Sequence, residues 1–212
     1  MTESATAEIT SYNARGHEEV VAVLARAFVD DPLYRWFWPD TDRRLRGVRA
    51  FIGGEVRLTS LQGRVDVAVD ERGAAVAAAL WALPGRYPFP LLPSLQIMSR
   101  VMPRMGWSAA RRLPWLKRVD RAHLQEPHWY LVTLGVEPGL QRRGLGRLLL
   151  TARVAAADND GVPIYLETFN PANPPYYRAL GFEDREAIDD ARLPPFWTMV
   201  RPPGARHPGA TR

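Results

Sequence analysis

A glycine-rich turn between two apolar segments restricts what this chain can fold into more than any other feature. Residues 141–146 read Gln-Arg-Arg-Gly-Leu-Gly. An apolar segment at 129–136 precedes them, and a segment with apolar residues at helical spacing follows, to about residue 160. We therefore predict a strand, a tight turn and a helix. Backbone N–H groups at such a helix start converge on one point, where the helix dipole adds positive charge. The turn predicts a binding site for an anion, most naturally a pyrophosphate.

Two common phosphate-binding motifs do not fit this turn. A P-loop requires Lys and then Ser or Thr after its last glycine, whereas Leu145 and Gly146 follow Gly144. A dinucleotide-binding fingerprint requires a third glycine where the chain has Leu149. The remaining pattern is Gln-x-x-Gly-x-Gly, for which a glycine-rich turn without any ligand is the structural alternative.

The composition is that of a folded domain. The chain has 212 residues, 46% of them hydrophobic, and no cysteine, which excludes disulfides, thiolate metal sites and cysteine nucleophiles. Residues 1–8 are polar and lack the apolar run of a signal peptide, and no apolar run reaches the roughly 18 residues of a membrane span. We expect one cytoplasmic domain over 1–212, without a membrane partner and with a disordered tail over 202–212.

The net charge of +5 comes almost entirely from arginine, since Lys117 is the only lysine. Two explanations of this bias are open: the codon usage of the host, and a positive field that attracts an anionic partner. Nucleic acid would be a rival partner, but most arginines are scattered among acids and no recognition module is visible. We expect no nucleic-acid partner.

Hydrophobic periodicity and turn residues predict the order of the elements. The predicted strands cover 7–12, 65–69, 74–83, 129–136, 164–168, 182–188 and 196–201, and the predicted helices cover 17–28, 42–62, 94–102, 108–120, 145–160 and 174–180. Residues 33–39 read as an aromatic connection after a helix stop at 30–32, and two glycines at 53–54 weaken the second helix. Asn173 is a candidate cap of the last helix.

The strand, the Gln-x-x-Gly-x-Gly turn, the helix, the next strand and then Asn-x-x-x-Tyr-x-x-x-Gly-Phe at 173–182 resemble the GNAT superfamily of N-acetyltransferases. Within it, the segments 27–32, 70–84, 126–146, 161–173 and 176–182 are most similar to the puromycin N-acetyltransferases. The resemblance implies an α/β (α+β) GNAT fold: a mixed central sheet of about six to seven strands, with a splayed parallel pair, flanked by helices. It also implies acetyl-CoA as the cofactor and no metal. The likeness is weakest at 86–125, a variable insert on the acceptor side.

The resemblance places acetyl-CoA between the strands 129–136 and 164–168. Backbone groups of Leu134, Gly135 and Val136 would bind the pantetheine amides, and one N–H there would stabilise charge on the thioester oxygen. Asn173 is a further cofactor contact. The turn would wrap the pyrophosphate with Gln141, Arg142, Arg143, Gly144, Leu145, Gly146 and Arg147.

Tyr177 matches the superfamily tyrosine that protonates the leaving thiolate. A phenol suits this role because its pKa of about 10 is close to that of a thiol. The alternative is packing of Tyr177 against Phe182. Tyr176 is interpreted as a packing residue.

The general base is less well defined, because the segment 129–134 contains no acid where many relatives have a glutamate. Glu167 is the first candidate. Asp30, Asp31 and His128 follow, and a water chain without a dedicated base is an equal alternative.

Aromatic residues after the first helix are candidates for the acceptor site. A wall for a flat or apolar amine could be formed by Tyr34, Trp36, Phe37 and Trp38. Asp30 or Asp31 could attract the ammonium group of that amine. Core packing and helix capping are the respective alternatives.

We expect acetyl transfer to a primary amine of a small molecule, an aminonucleoside antibiotic among the candidates, by direct attack in a ternary complex. The alternatives are a non-catalytic acyl-CoA sensor and acetylation of a peptide amine. Either a monomer or a homodimer would be compatible.

Overall fold

The computed structural model describes residues 7–205, and a seven-stranded sheet forms their centre. The strands are β1 (Glu8–Ser11), β2 (Arg64–Val69), β3 (Ala75–Ala82), β4 (Trp129–Val136), β5 (Ile164–Thr168), β6 (Glu183–Ile188) and β7 (Phe196–Arg201). Their order across the sheet is β1-β2-β3-β4-β5-β7-β6. Among these strands β4 and β5 are the one parallel pair, and all other neighbours are antiparallel. The mixed sheet with one parallel pair is confirmed.

Helices cover both faces of this sheet. They are α1 (His17–Phe28), α2 (Pro32–Phe37), α3 (Thr41–Gln62), α4 (Leu91–Met105), α5 (Trp107–Ala110), α6 (Lys117–Ala122), α7 (Leu145–Asp160) and α8 (Asn173–Arg178). The helices α1 and α3 pack on the face that carries Val67 and Leu80, and α7 packs on the opposite face with Ala77 and Ala79. The alternation of side chains along a strand produces these two cores.

The aromatic segment after α1 is helical, and its prediction as a connection after a helix stop was wrong. The carboxylate Oδ1 of Asp31 accepts a hydrogen bond from the N–H of Leu33 at 3.0 Å, which caps α2. Pro32 occupies the first turn, where its missing N–H costs nothing. The Asp-Pro pair that reads as a helix stop is therefore a helix start.

The region 91–122 is more helical than its prolines suggest. The helix α4 extends beyond the predicted 94–102, and the predicted helix 108–120 is divided into α5, a 3₁₀ turn at Leu113–Leu116 and α6. The glycines at 53–54 do not interrupt α3. A Cβ on Gly54 would lie 2.8 Å from Cγ2 of Val101, so this glycine allows α4 to approach.

Two predictions at the C-terminal end require correction. Asn173 is the first residue of α8, and Ala172 occupies the cap position; the side-chain amide of Asn173 donates to Oγ1 of Thr168 at 2.9 Å. The start of the predicted disordered tail is held in place: the N–H of Gly204 donates to Asp158 and the Arg201 guanidinium donates to the carbonyl of Ala205. The rest of that tail, 206–212, lies outside the described residues.

Candidate active site

The parallel strands β4 and β5 diverge partway along their length. They pair at Trp129–Ile164, Tyr130–Tyr165 and Leu131–Leu166, and no pairing follows. On its other edge, β4 pairs Leu131 with Trp81 and Thr133 with Leu80, which leaves Val132 as an extra residue in a bulge. A bulge bends its strand. The bend opens a gap in the sheet with backbone groups along its edges.

The predicted anion turn lies at the far end of this gap. No hydrogen bond within residues 7–205 reaches the backbone N–H groups of 142–147. Arg142 and Gly144 have φ values of 62° and 87°, which turn successive N–H groups toward one side. The side chain of Gln141 donates to the carbonyl of Val136 at 3.3 Å and ties the turn to β4. Such a set of unpaired donors at the start of α7 fits a pyrophosphate.

Tyr176 lies closer to this turn than its interpretation as a packing residue implied. A Cβ built on Gly146 would come within 3.0 Å of the Tyr176 hydroxyl, so a side chain at residue 146 would occupy this space. Burial raises the pKa of Tyr176 to about 12, and the Arg147 guanidinium opposes this shift. Tyr176 is therefore an additional candidate for contact with a ligand at the turn. In the sequence, the one indication of this possible role is that Tyr176 directly precedes Tyr177.

The gap opens into a pocket of about 350 Å³ between α1, α3, α6 and β4–β5. Six of the predicted site residues line it: Asp31, Tyr34, Leu134, Glu167, Asn173 and Tyr177. Gly135 is buried outside the lining, and a Cβ there would lie 2.7 Å from Cδ2 of Leu24 on α1. The need for glycine at residue 135 is thus explained by helix packing.

Asp30 and Trp36 do not line the pocket, although both were predicted to bind the acceptor. The carboxylate of Asp30 faces solvent and lies 3.3 Å from the guanidinium of Arg44. The ring of Trp36 packs on Phe37 at a centroid distance of 5.0 Å and has the Arg112 guanidinium 5.6 Å above it. Because the segment is helical, Tyr34 turns inward while Trp36 points away.

Tyr177 is buried at the junction of the gap and the pocket. Its ring contacts Phe182 at a centroid distance of 5.5 Å and also lines the pocket, so packing and a chemical role are compatible. Burial raises the pKa of the Tyr177 hydroxyl well above its ordinary value. The phenol is therefore protonated at neutral pH and able to donate.

Four carboxyl groups line the pocket, from Asp31, Glu55, Asp120 and Glu167, and its described lining contains no lysine or arginine. Burial raises the pKa of Glu55 to about 8 and that of Asp31 to about 6. Burial also raises the pKa of Asp120. The only side chain with a hydrogen bond to Glu55 within residues 7–205 is Thr133, at 3.2 Å. A buried carboxyl with so little compensation is stabilised by a cation.

Sequence reasoning did not single out Glu55 and Asp120. Glu55 lies on a helix rich in arginine, where an acid reads as a solvated surface residue. Its partner Thr133 is 78 residues away in the chain. No local pattern identifies such a pair.

A chain of hydrogen bonds leads from Glu167 to the protein surface. Oε1 of Glu167 lies 3.0 Å from Nδ1 of His123, Nε2 of His123 lies 3.1 Å from Nε2 of His128, and Nδ1 of His128 lies 2.5 Å from the carbonyl of Glu126. Both rings are buried, and Glu126 is exposed. Burial lowers the pKa of His128. The buried pocket is thus connected to solvent through two imidazoles.

Hydrogen-bond chemistry fixes the number of protons in this chain. A carbonyl only accepts, so Nδ1 of His128 carries a proton. The contact between the two Nε2 atoms requires one proton, and the contact between His123 and Glu167 requires another. Each contact therefore holds one proton, whichever partner carries it. At the two contacts that His123 makes, a proton can move from one partner to the other while the hydrogen bond is kept.

Comparisons with known proteins agree with this geometry. A model of the acetyltransferase (GNAT) family matches residues 105–182, which include the gap, the turn and Tyr177. A histone acetyltransferase HPA2 and related acetyltransferase from Corynebacterium glutamicum has 26% identity and a TM-score of 0.71, over 95% of this chain and 98% of that protein. The chain is an acetyl-CoA-dependent N-acetyltransferase with the GNAT fold. An uncharacterised N-acetyltransferase of Schizosaccharomyces pombe is 24% identical, with 90% of this acetyltransferase and 81% of the yeast protein covered.

GNAT acetyltransferases use acetyl-CoA and act on amine acceptors. A phosphinothricin acetyltransferase from Sinorhizobium meliloti, solved in complex with acetyl-CoA, has the same fold, with 18% identity and a TM-score of 0.57 over 98% of this acetyltransferase and 92% of that protein. The unpaired N–H groups at 142–147 and the gap beside β4 fit this cofactor. Within residues 7–205 no helix is long and apolar enough to cross a bilayer, and no group of three or more His, Asp or Glu side chains could hold a metal ion.

Proposed function

We propose that this enzyme acetylates a primary amine of a small cationic molecule, by direct attack on acetyl-CoA in a ternary complex. The observation that carries the proposal is the acidic pocket that joins the β4–β5 gap beside Tyr177. An ammonium ion is attracted by the four carboxyl groups, and no cation among the described lining residues opposes it. A volume of about 350 Å³ is on the scale of a small molecule.

The cofactor side uses main-chain groups. Acetyl-CoA supplies the thioester, and Leu134, Gly135 and Val136 bind its pantetheine arm through their backbone. Arg142 and Arg143 add charge beside the N–H groups of the turn, with Gln141, Gly144, Leu145, Gly146 and Arg147 completing it. Asn173 contacts the arm from the opposite side of the gap. The unpaired N–H groups and the open strand edges support these roles.

Glu167 accepts one proton from the acceptor ammonium, and Tyr177 donates one to the leaving sulfur as the C–S bond breaks. The acceptor nitrogen loses its second proton as its bond to the acetyl carbon forms, and this proton restores the Tyr177 phenol. At Glu167 the acceptor's N–H bond breaks and an O–H bond forms. Protons then shift through His123 and His128, and the proton on Nδ1 of His128 leaves to solvent when its hydrogen bond to the Glu126 carbonyl opens. The support for this route is the unbroken series of contacts at 3.0, 3.1 and 2.5 Å. Glu55 and Asp31 attract the acceptor's charge.

The proposed acceptors combine a positive charge with a flat apolar part. Tyr34, Phe51, Tyr87 and Phe89 line the pocket together with its carboxyl groups. Aminonucleoside antibiotics have this combination, and the segments similar to the puromycin N-acetyltransferases favour them. We place the activity in the cytoplasm, with neither nucleic acid nor membrane as a partner. One chain forms the whole pocket, so a monomer suffices and a homodimer is compatible.

A thiol-release screen with acetyl-CoA tests this proposal. The panel contains puromycin, simple aromatic amines, aliphatic diamines, dipeptides and amino acids with acidic side chains. We expect turnover with cationic small amines and the poorest turnover with acidic ones, since like charges repel in the pocket. Turnover confined to dipeptides would establish a peptide amine as the acceptor. Binding of acetyl-CoA without turnover of any amine would indicate a sensor and refute the enzymatic proposal.

A further inference from the structure

A second cavity lies on the other side of α3, away from the acceptor pocket. This groove has a volume of about 610 Å³ and runs between α1, α3 and α4. Five arginines line it: Arg46, Arg49, Arg57, Arg100 and Arg104. Glu18 is the single carboxylate among its described lining residues. No residue lines both this groove and the acceptor pocket.

The positive charges of the groove are poorly neutralised. Glu18 pairs with Arg49 at 3.1 Å. The other four guanidinium groups have no carboxylate within ion-pair distance in residues 7–205. Arg46 and Arg49 are three residues apart on α3, and Arg100 and Arg104 are four apart on α4. Like charges at these spacings destabilise a helix. An anion in the groove would offset that repulsion.

Gly53 lies in the floor of the groove, and no close packing neighbour explains why this helical residue is a glycine. A glycine inside a helix costs roughly 0.5–1 kcal/mol relative to alanine. At Gly47 and Gly54 close neighbours explain the residue, because a Cβ would lie 2.2 Å from Trp38 and 2.8 Å from Val101. At Gly53 the nearest atom to a Cβ is 3.8 Å away, and this is ordinary contact. Packing does not require glycine here, whereas close approach of a ligand to the helix backbone would.

The groove has an apolar floor and a rim of arginines, which would bind an apolar part and an anionic part of one ligand, respectively. Val21, Ile97 and Val101 provide apolar surface beside Gly53, and the arginines surround it. A guanidinium binds phosphate oxygens through paired hydrogen bonds. We infer that this groove binds a nucleoside polyphosphate, with its phosphates on the arginines and its base over the apolar floor. This site is independent of the acetyl-transfer chemistry.

Calorimetric titration with ATP and with inorganic tripolyphosphate tests this inference, in about 0.15 M salt. It is run on the native chain and on Gly146→Glu, whose added side chain occupies the 141–147 turn. We expect saturable binding at one groove per chain, equal in the native chain and in Gly146→Glu, and tighter for ATP than for tripolyphosphate. The double variant Arg57→Ala with Arg100→Ala should bind both probes roughly tenfold more weakly or worse. The matched double variant Arg72→Ala with Arg121→Ala removes the same charge from exposed residues elsewhere and should bind both as the native chain does.

Gly53→Ala separates the shape of the groove from its charge. The variant should melt at a higher temperature, because alanine favours the helix. It should bind ATP several-fold more weakly and tripolyphosphate almost unchanged, since the new methyl group occupies the floor and leaves the arginines intact. Equal losses in the two arginine pairs would overturn the inference, because they would indicate unspecific attraction. Loss of binding in Gly146→Glu would also overturn it, since the probes would then bind at the 141–147 turn.

Discussion

Two buried acids of the acceptor pocket differ in how the protein compensates them. The side chain of Glu167 is 5% exposed and has an imidazole partner at 3.0 Å. Glu55 has a threonine hydroxyl as its partner, and burial raises its pKa to about 8. Glu167 can therefore exchange a proton with its neighbour, whereas Glu55 holds its proton until a cation arrives. These environments suit a base and an ammonium-binding group, respectively.

The raised pKa of Glu55 makes a prediction about stability and pH. The folded state binds this proton more tightly than the unfolded state, so stability falls as pH rises from about 4.5 to about 8. Glu55→Gln should remove this loss and raise the melting temperature near pH 8 by a few degrees, on the order of 1–2 kcal/mol of stability, with little change near pH 5. Melting curves at both pH values check this. The same variant should raise the KM for a cationic amine, and an unchanged KM would refute the ammonium role.

Replacing the phenol of Tyr177 tests the proton donor. Tyr177→Phe keeps the ring that packs on Phe182, so the fold should persist. The kcat should fall roughly 100-fold, with little change in the KM for acetyl-CoA, because the lost hydroxyl acts on the leaving group. Tyr176→Phe is the neighbouring comparison and should affect acetyl-CoA binding more than turnover. Steady-state kinetics with both substrates separate these effects.

The proposed proton route through His123 and His128 is tested by replacing His128, which lies nearer the surface. His128→Ala should lower kcat about tenfold and leave the KM for acetyl-CoA unchanged, since the proton's exit is interrupted. Added imidazole should restore part of the activity by filling the space. The other titratable or charged groups close to Glu167 and the two imidazoles are those of Asp120, Tyr87, Tyr130, Tyr165 and Arg185. A full loss of activity without imidazole rescue would instead indicate a structural role for His128.

Residue positions were predictable where one short motif contains the residues. Tyr177 and Asn173 belong to one ten-residue pattern, and the structure brings both to the same pocket as Glu167. Glu55 and His123 were missed because their partners lie 78 and 44 residues away. Asp30 and Trp36 were misplaced because their orientation depends on α2, which the sequence reasoning did not predict.

At the scale of elements, the gap and the turn act together. The bulge at Val132 bends β4 away from β5, and the turn at 141–147 closes the far end of the opening. Gly146 leaves room at the start of α7 in front of Tyr176. The gap and the turn therefore depend mainly on the path of the backbone and on only a few side chains.

A glutamate introduced at the turn tests where the pyrophosphate binds. Gly146→Glu places a carboxylate within reach of the Tyr176 hydroxyl and in front of the N–H groups, so acetyl-CoA affinity should fall at least about 100-fold. Gly139→Glu adds the same charge nearby, where a Cβ has no neighbour within 4 Å, and should change affinity only about threefold. Equilibrium binding measures both. Retained affinity in Gly146→Glu would refute the placement.

Element boundaries were predicted best where apolar runs end at glycine or proline. The strands β4 and β5 and the helices α1 and α7 have the predicted bounds. The helix α2 was missed because Asp-Pro reads as a terminator, and aromatic residues are weak indicators of a helix. The helices of 91–122 were shortened in the prediction, since prolines in a first turn or a last turn were interpreted as breaks.

The whole molecule couples cofactor binding to stability. A ligand that binds only the folded chain raises its stability in proportion to the logarithm of its concentration. At 100 times its Kd, acetyl-CoA should add about 2.7 kcal/mol and raise the melting temperature by roughly 5–10 °C. Differential scanning calorimetry with increasing acetyl-CoA measures this shift. An unchanged melting temperature at millimolar acetyl-CoA would exclude the proposed cofactor site.

The sheet opening at Val132 has a consequence for how such a protein can diversify. A cleft formed by the bend of a strand survives most replacements of the side chains around it, so the half that receives the acyl donor tolerates mutation. The opposite half depends on side chains from α3, α6 and β5 that are distant in the chain. New amine specificities can therefore arise there, one residue at a time, while the donor half is inherited unchanged.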